Sequence, residues 1–154
     1  MGCDIFSRAE KRIGEKWQVI SGLHPFSDAR SYRVFGFLAD VRNWAGVMPI
    51  SQPRGLPQGV VAPVDEETPD DEWLGEHSFS WLLVSELLAV DYDRVVEDRR
   101  TTGVVDGITY GSITAEPGQG RSMTLRAFLA PPYFEDLDAL VAAGADRIVF
   151  GFGD

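Results

Sequence analysis

The spacing of apolar and polar residues divides this chain into short elements of two kinds. Cys3 to Glu10 alternates with a strand's period, Ile13-Gly14-Glu15 marks a turn, and Lys16 to Ile20 returns with Trp17 and Val19 on one face, a hairpin pattern. Tyr32, Phe35, Phe37, Leu38 and Val41 recur near helical spacing, which predicts a short helix over Ser31 to Val41 capped by Ser31 or Asp28. His77-Ser78-Phe79-Ser80-Trp81 alternates again, so strand geometry puts His77, Phe79 and Trp81 on one face. Ser85 stands where it can cap a helix through Ala89, and Tyr92 to Thr102 fits either a helix end or an edge strand. Gly103 to Ala115 is β-rich around an Asp106-Gly107 turn, and Ser122 to Leu129 extends the β pattern. Pro131-Pro132 opens a helix, Tyr133 to Ala143, closed by Gly144, and Asp146 to Phe152 is a strand apolar enough for the middle of a sheet.

Between the first helix and His77 the pattern lapses. Arg42 to Gly75 holds five prolines and several glycines with little periodicity, and so long an irregular stretch is unusual in a compact domain. Its first half carries Trp44, Val47, Met48, Ile50 and Leu56, which predicts an ordered, packed loop. Residues 65 to 76 carry seven carboxylates and are expected to be solvated and mobile. The sum is an α+β fold, one domain over residues 1 to 154, with a mostly antiparallel sheet, a few short helices and a long Pro/Gly-rich loop.

Composition narrows the function classes. The chain has 154 residues, 44% of them hydrophobic, which suits a single core. A formal net charge of -10 disfavours direct binding to nucleic acid, where Lys and Arg must neutralise phosphates. It is compatible with plain solubility, or with an acidic surface that engages a basic partner protein. One cysteine, Cys3, excludes an internal disulfide and fits a reducing cytoplasm. No apolar run approaches the roughly 20 residues of a membrane span, so no membrane partner is expected.

Motifs for nucleophilic catalysis and for phosphate loops are missing: there is no G-x-S-x-G, no G-x-x-x-x-G-K-[ST] and no strand–G-x-G-x-x-G–helix unit. Potential metal ligands are few. Asp4 and His77, with Cys3 or His24, make a metal site only if the fold converges them. A pocket for a small anion has more support. Arg42-Asn43-Trp44 and Pro53-Arg54-Gly55-Leu56-Pro57 bring two guanidinium groups, an amide and an indole into the long loop. Guanidinium forks take phosphate bidentately, and Trp44, Phe79 and Trp81 offer faces on which a base stacks, with His77 as a polar edge. In the competing arrangement both arginines pair with acidic side chains and the aromatics are core.

Several of these segments also resemble a known family. Met1-Gly2-Cys3-Asp4-Ile5, Ser31-Tyr32-Arg33-Val34-Phe35, Ala39-Asp40-Val41-Arg42-Asn43, Pro53-Arg54-Gly55-Leu56-Pro57, His77-Ser78-Phe79-Ser80-Trp81-Leu82 with Glu86-Leu87-Leu88, and Arg147-Ile148-Val149-Phe150 occur here in order. Together they resemble a family of small uncharacterised proteins of bacteriophages and bacteria that begin Met-Gly-Cys-Asp-Ile-His. The resemblance implies a phage or prophage origin, the cytoplasm of a bacterial host and no established activity. The family pattern has histidine where this chain has Phe6 and Phe79. Phenylalanine cannot ligate a metal, so the departures shift the expectation from catalysis to binding, with no cofactor. The expected function is a phage accessory protein that binds a small phosphorylated ligand, such as a nucleotide signal of host defence. Its expected ligand-binding residues are Arg42, Asn43, Trp44, Arg54, His77, Phe79 and Trp81. The alternatives are a metal-dependent, phosphoesterase-like hydrolase built on Asp4 and His77, and an acidic decoy for a host protein. Self-association is left open.

Overall fold

The computed structural model describes residues 2–61 and 73–154. In chain order its elements are β1 (Asp4–Ile13), β2 (Lys16–Ile20), α1 (Tyr32–Ala39), β3 (His77–Leu83), α2 (Val84–Ala89), β4 (Val95–Asp98), β5 (Arg100–Val105), β6 (Ile108–Thr114), β7 (Arg121–Thr124), α3 (Leu125–Leu129), α4 (Pro131–Ala142) and β8 (Arg147–Gly153). Every strand pairing among the described residues is antiparallel, and the fold is α+β. No helix among the described residues is long and apolar enough to cross a membrane. Most of the expected acidic loop, residues 65 to 72, lies outside the described residues.

The chain divides into two compact units. The first draws on the described residues of Met1–Arg30, Pro53–Val90 and Pro132–Asp154. Its sheet has the order β2-β1-β8-β3. The apolar density of Ile148 to Phe152 has the consequence expected of it: β8 lies between two strands and is buried along its whole length. Ile5, Ser7 and Ala9 face the same side as their partners Phe152, Phe150 and Ile148. On that side the Ser7 hydroxyl donates to Pro25 O at 2.5 Å, and Phe26 stacks on Tyr133 of α4 at 5.0 Å. The Phe26 amide donates to the Asp136 carboxylate, 2.9 Å away. Burial holds the Asp136 carboxyl above its usual range despite that bond, and Asp28 and Glu135 add to the effect. The opposite side of the sheet carries a buried ion pair, Glu10 with Arg147 at 2.6 Å, whose guanidinium lies 3.8 Å from the Trp17 ring.

The second unit comprises Ser31–Gln52 and Asp91–Pro131. Its core is Val34, Phe35, Phe37 and Leu38 from α1, with Val47, Tyr92, Leu125, Phe128 and Leu129. Helix α1 ends at Asp40 in the left-handed region (φ 59°), whose amide donates to Gly36 O at 2.9 Å. Ser31 occupies the N-cap, yet its side chain makes no cap hydrogen bond. Strands β4 and β7 pair, and β5 and β6 form a hairpin turned at Asp106 (φ 52°) and Gly107 (φ 77°). Buried Asp98 receives the Arg100 guanidinium at 2.7 Å. Burial pushes its carboxyl upward, but hydrogen bonds and charge from Arg100, with Arg121, leave it below the ordinary range.

Two expectations change here. Ser122 to Leu129 does not continue as a strand: Thr124 Oγ1 accepts from the Ala127 amide at 3.1 Å and starts α3. Ser85 does not cap α2. Leu83 is its N-cap residue, and the Glu86 carboxylate accepts from the Leu83 amide at 3.1 Å.

Candidate functional site

The first unit's sheet brings three chain positions together. Strands β1 and β3 both run antiparallel to β8, so the starts of β1 and β3 flank the end of β8. Cys3 precedes β1, His77 opens β3 and Asp154 follows β8. One ligand atom from each, the Cys3 Sγ, a His77 ring nitrogen and an Asp154 carboxylate oxygen, all lie within 4.8 Å of one another. Cys3 is buried, His77 half-buried and Asp154 exposed.

A bulge aims His77 at this cluster. His77 pairs with Phe152 but Ser80 pairs with Phe150, so three steps on β3 match two on β8. The extra residue is absorbed at Ser78, which has φ 55°. His77 therefore faces the same side as Phe152, and its ring lies 6.4 Å from that ring. Trp81 pairs with Val149 and faces the other side, where Phe79 packs against Gly151. The single face expected for His77, Phe79 and Trp81 is split in two, because strict alternation holds only without a bulge.

The surroundings of the imidazole define its chemistry. His77 Nδ1 is 3.0 Å from Ser78 Oγ. In the tautomer that donates there, the Nε2 lone pair is left for another partner. Nε2 lies 3.4 Å from Asp154 Oδ1, is closed off from solvent and makes no hydrogen bond among the described residues. A thiol, an imidazole with an unused buried nitrogen and a carboxylate form a donor set suited to a zinc-type ion. Zinc bond lengths imply tetrahedral ligand separations of about 3.3–3.7 Å. Closing the cluster from 4.8 Å to that spacing takes side-chain adjustments on the order of 1 Å.

The other predicted residues are engaged elsewhere. Asp4 pairs with Gly153, the neighbour of His77's partner Phe152, so Asp4 and His77 face opposite sides of the sheet. The Asp4 carboxylate instead takes a fork from Arg30 at 2.9 and 3.0 Å, and these bonds hold its carboxyl below the usual range. His24 Nδ1 is 2.8 Å from Ser7 O. Arg54 forks onto both oxygens of Glu86 at 2.8 and 2.6 Å, donates to Trp81 O at 3.2 Å and lies 4.7 Å from the Trp81 ring. That bidentate bond raises the Arg54 pKa and lowers that of Glu86.

Arg42, Asn43 and Trp44 belong to the second unit, whereas Arg54, His77, Phe79 and Trp81 belong to the first. Arg42 stands over the Tyr32 ring at 5.7 Å. Asn43 staples its loop by donating to Asp40 Oδ1 at 2.8 Å and Val47 O at 2.7 Å. Trp44 O accepts from Thr114 Oγ1 at 2.7 Å. Asp154 went unrecognised in the sequence, where nothing but the register of β8 connects it to Cys3 and His77. Comparison with known family models, with curated proteins and with solved structures finds no match.

Proposed function

We propose that this protein binds a zinc-type divalent ion through Cys3, His77 and Asp154, and that its chemistry is metal-dependent hydrolysis. The observation that carries this reading is the His77 Nε2, buried, without a hydrogen bond among the described residues and 3.4 Å from Asp154 Oδ1, on a ring that clusters with the Cys3 thiol and the Asp154 carboxylate within 4.8 Å. A buried acceptor left without a partner costs about 1–3 kcal/mol, and a metal ion removes that cost. Ser78 Oγ would hold the imidazole in the ligating tautomer, as the outer contacts of metal-bound histidines commonly do. Three protein ligands leave a fourth position for water, which a bound zinc ion acidifies to a pKa near 7. Exposed Asp154 leaves that position a path to solvent. Of the readings drawn from the sequence, this is the hydrolase, with Asp154 in the place expected for Asp4. The nucleotide pocket gains less support, because Arg54 and Asn43 already hold Glu86 and Asp40.

Titration with Co(II), read by thiolate-to-metal absorption, and with Zn(II), read by calorimetry, tests the site. One equivalent is expected to bind, with Cys3→Ser, His77→Gln and Asp154→Asn each weakening affinity at least about tenfold and Asp4→Asn leaving it unchanged. Absence of stoichiometric binding, or equal binding by Cys3→Ser, would overturn the reading. Zinc-dependent turnover of simple aryl phosphate and carboxylate esters tests the hydrolytic half separately.

A further inference from the structure

The second unit holds a cavity of its own, lined by Gly46, Val47 and Met48 from the loop after α1 and by Arg94, Val95, Val96, Glu97 and Arg99 around β4. Its polar groups are not equally satisfied. Arg99 Nε donates to Ala115 O at 2.8 Å, and Glu97 accepts from the Gly118 and Gly120 amides at 3.1 and 3.3 Å. Arg94 is different. Its Nε is closed off from solvent and has no acceptor among the described residues, and its Nη2 makes only a long contact, 3.4 Å, to Met48 O. Nε and one Nη form the edge of a guanidinium that takes a carboxylate or phosphate side-on. Here one of those donors is orphaned and the other is weakly used.

The rest of the cavity describes the remainder of a ligand. Met48 and Val95 are 73% and 72% exposed, among the most exposed large apolar residues of the described chain, and both line this cavity. Val47 and Val96 extend the apolar lining. Two guanidinium groups face one carboxylate that is already bound by two amides, so the local field favours an anion although the whole chain carries -10. We infer that this cavity is a binding site for a small oxyanion, a carboxylate or phosphate monoester, that carries a short apolar group. A turn of the Arg94 side chain that gives up the weak bond to Met48 O would present its Nε–Nη2 edge to the oxyanion, and the apolar group would lie between Met48 and Val95. The site involves none of the proposed metal ligands and stands independently of them.

Calorimetry and amide chemical-shift titration with hexanoate, butyl phosphate, inorganic phosphate and hexanol test it. Saturable shifts at residues 46–48 and 94–97 are expected with hexanoate or butyl phosphate, and weaker ones with inorganic phosphate. Which of the two organic anions binds tighter identifies the oxyanion. Arg94→Gln is expected to weaken binding about tenfold or more, the loss of a charge-assisted pair. Met48→Glu, an exposed substitution that leaves Arg94 in place, is expected to repel the anion. Binding of hexanol as tight as hexanoate, equal binding by Arg94→Gln, or no saturable shift with either organic anion would overturn the proposal. Should Arg94→Gln fail to fold, the Met48→Glu titration decides the outcome alone.

Discussion

The decisive residue is Ser78. Alternation from His77 to Trp81 is plain in the sequence, and it predicts one face. The register of β3 on β8 splits that face, and the split depends on a serine at φ 55°. Nothing in the sequence announces this, because serine is not among the residues that favour the left-handed region. The candidate site was therefore only partly legible: Cys3 and His77 stand out as ligand types, but their meeting with Asp154 is a product of strand register. Ser78 does two separable things, and two substitutions separate them. Glycine tolerates the backbone but removes the Oγ that holds His77 Nδ1, whereas alanine removes the Oγ and keeps the strain. Ser78→Gly is expected to unfold at the wild-type midpoint or above, with Ser78→Ala about 1 kcal/mol less stable than Ser78→Gly in chemical denaturation. Both are expected to weaken zinc binding about tenfold or more. Wild-type affinity in both variants would remove Ser78 from the site.

At the scale of elements, the sequence was most informative where local chemistry and packing agree. The β1–β2 hairpin, the Asp106-Gly107 turn, α4 and the central strand β8 were each visible in it. It misled where one side chain tips the balance, as with Thr124, whose cap converts a β-like run into α3. The long-range pairing of Glu10 with Arg147 was invisible, since 137 positions separate them, although β1 and β8 set them directly opposite. Both are nearly inaccessible, and Arg8 also reaches Glu10 at 3.0 Å. Removing Arg147 leaves buried Glu10 with Arg8 as its remaining cation and one carboxylate oxygen without its donor, so Arg147→Met is expected to cost about 1–3 kcal/mol in urea unfolding. Replacing all three, Arg8→Met and Glu10→Leu with Arg147→Met, removes every charge of the cluster and is expected to restore much of that loss. Additive losses across these substitutions would show that the three side chains do not act as a cluster. Gly151 in the same strand tests packing rather than charge. A Cβ there would come 2.0 Å from Leu74 O and 2.7 Å from the Phe79 ring, so Gly151→Ala is expected to lower the melting temperature, by about 1–3 kcal/mol of stability.

For the whole molecule, the governing quantity is a formal charge of -10. Mild acidification from neutrality relieves this repulsion, whereas strong acidification discharges the carboxylates that the fold uses. The carboxyls of Asp98 and Glu86 are held below their ordinary values, Glu86 chiefly by the Arg54 fork and Asp98 by Arg100 against its own burial. A depressed carboxyl contributes stability above its unfolded pKa, and that contribution is lost as pH falls through the folded value. Asp136 has the opposite sign. Its raised carboxyl favours the folded state when protonated, and this contribution is lost as pH rises through the folded value. Urea-unfolding free energies across a pH series are therefore expected to hold or rise from pH 7 to about pH 5 and to fall below about pH 4. Asp98→Asn is expected to be less stable than wild type at pH 7 and to flatten the acid limb. Asp136→Asn keeps an oxygen for the Phe26 amide without the buried charge, so it is expected to be more stable than wild type at pH 7 and to converge on it in acid. An Asp98→Asn acid limb as steep as wild type would show that the Arg100 pair does not set the acid sensitivity.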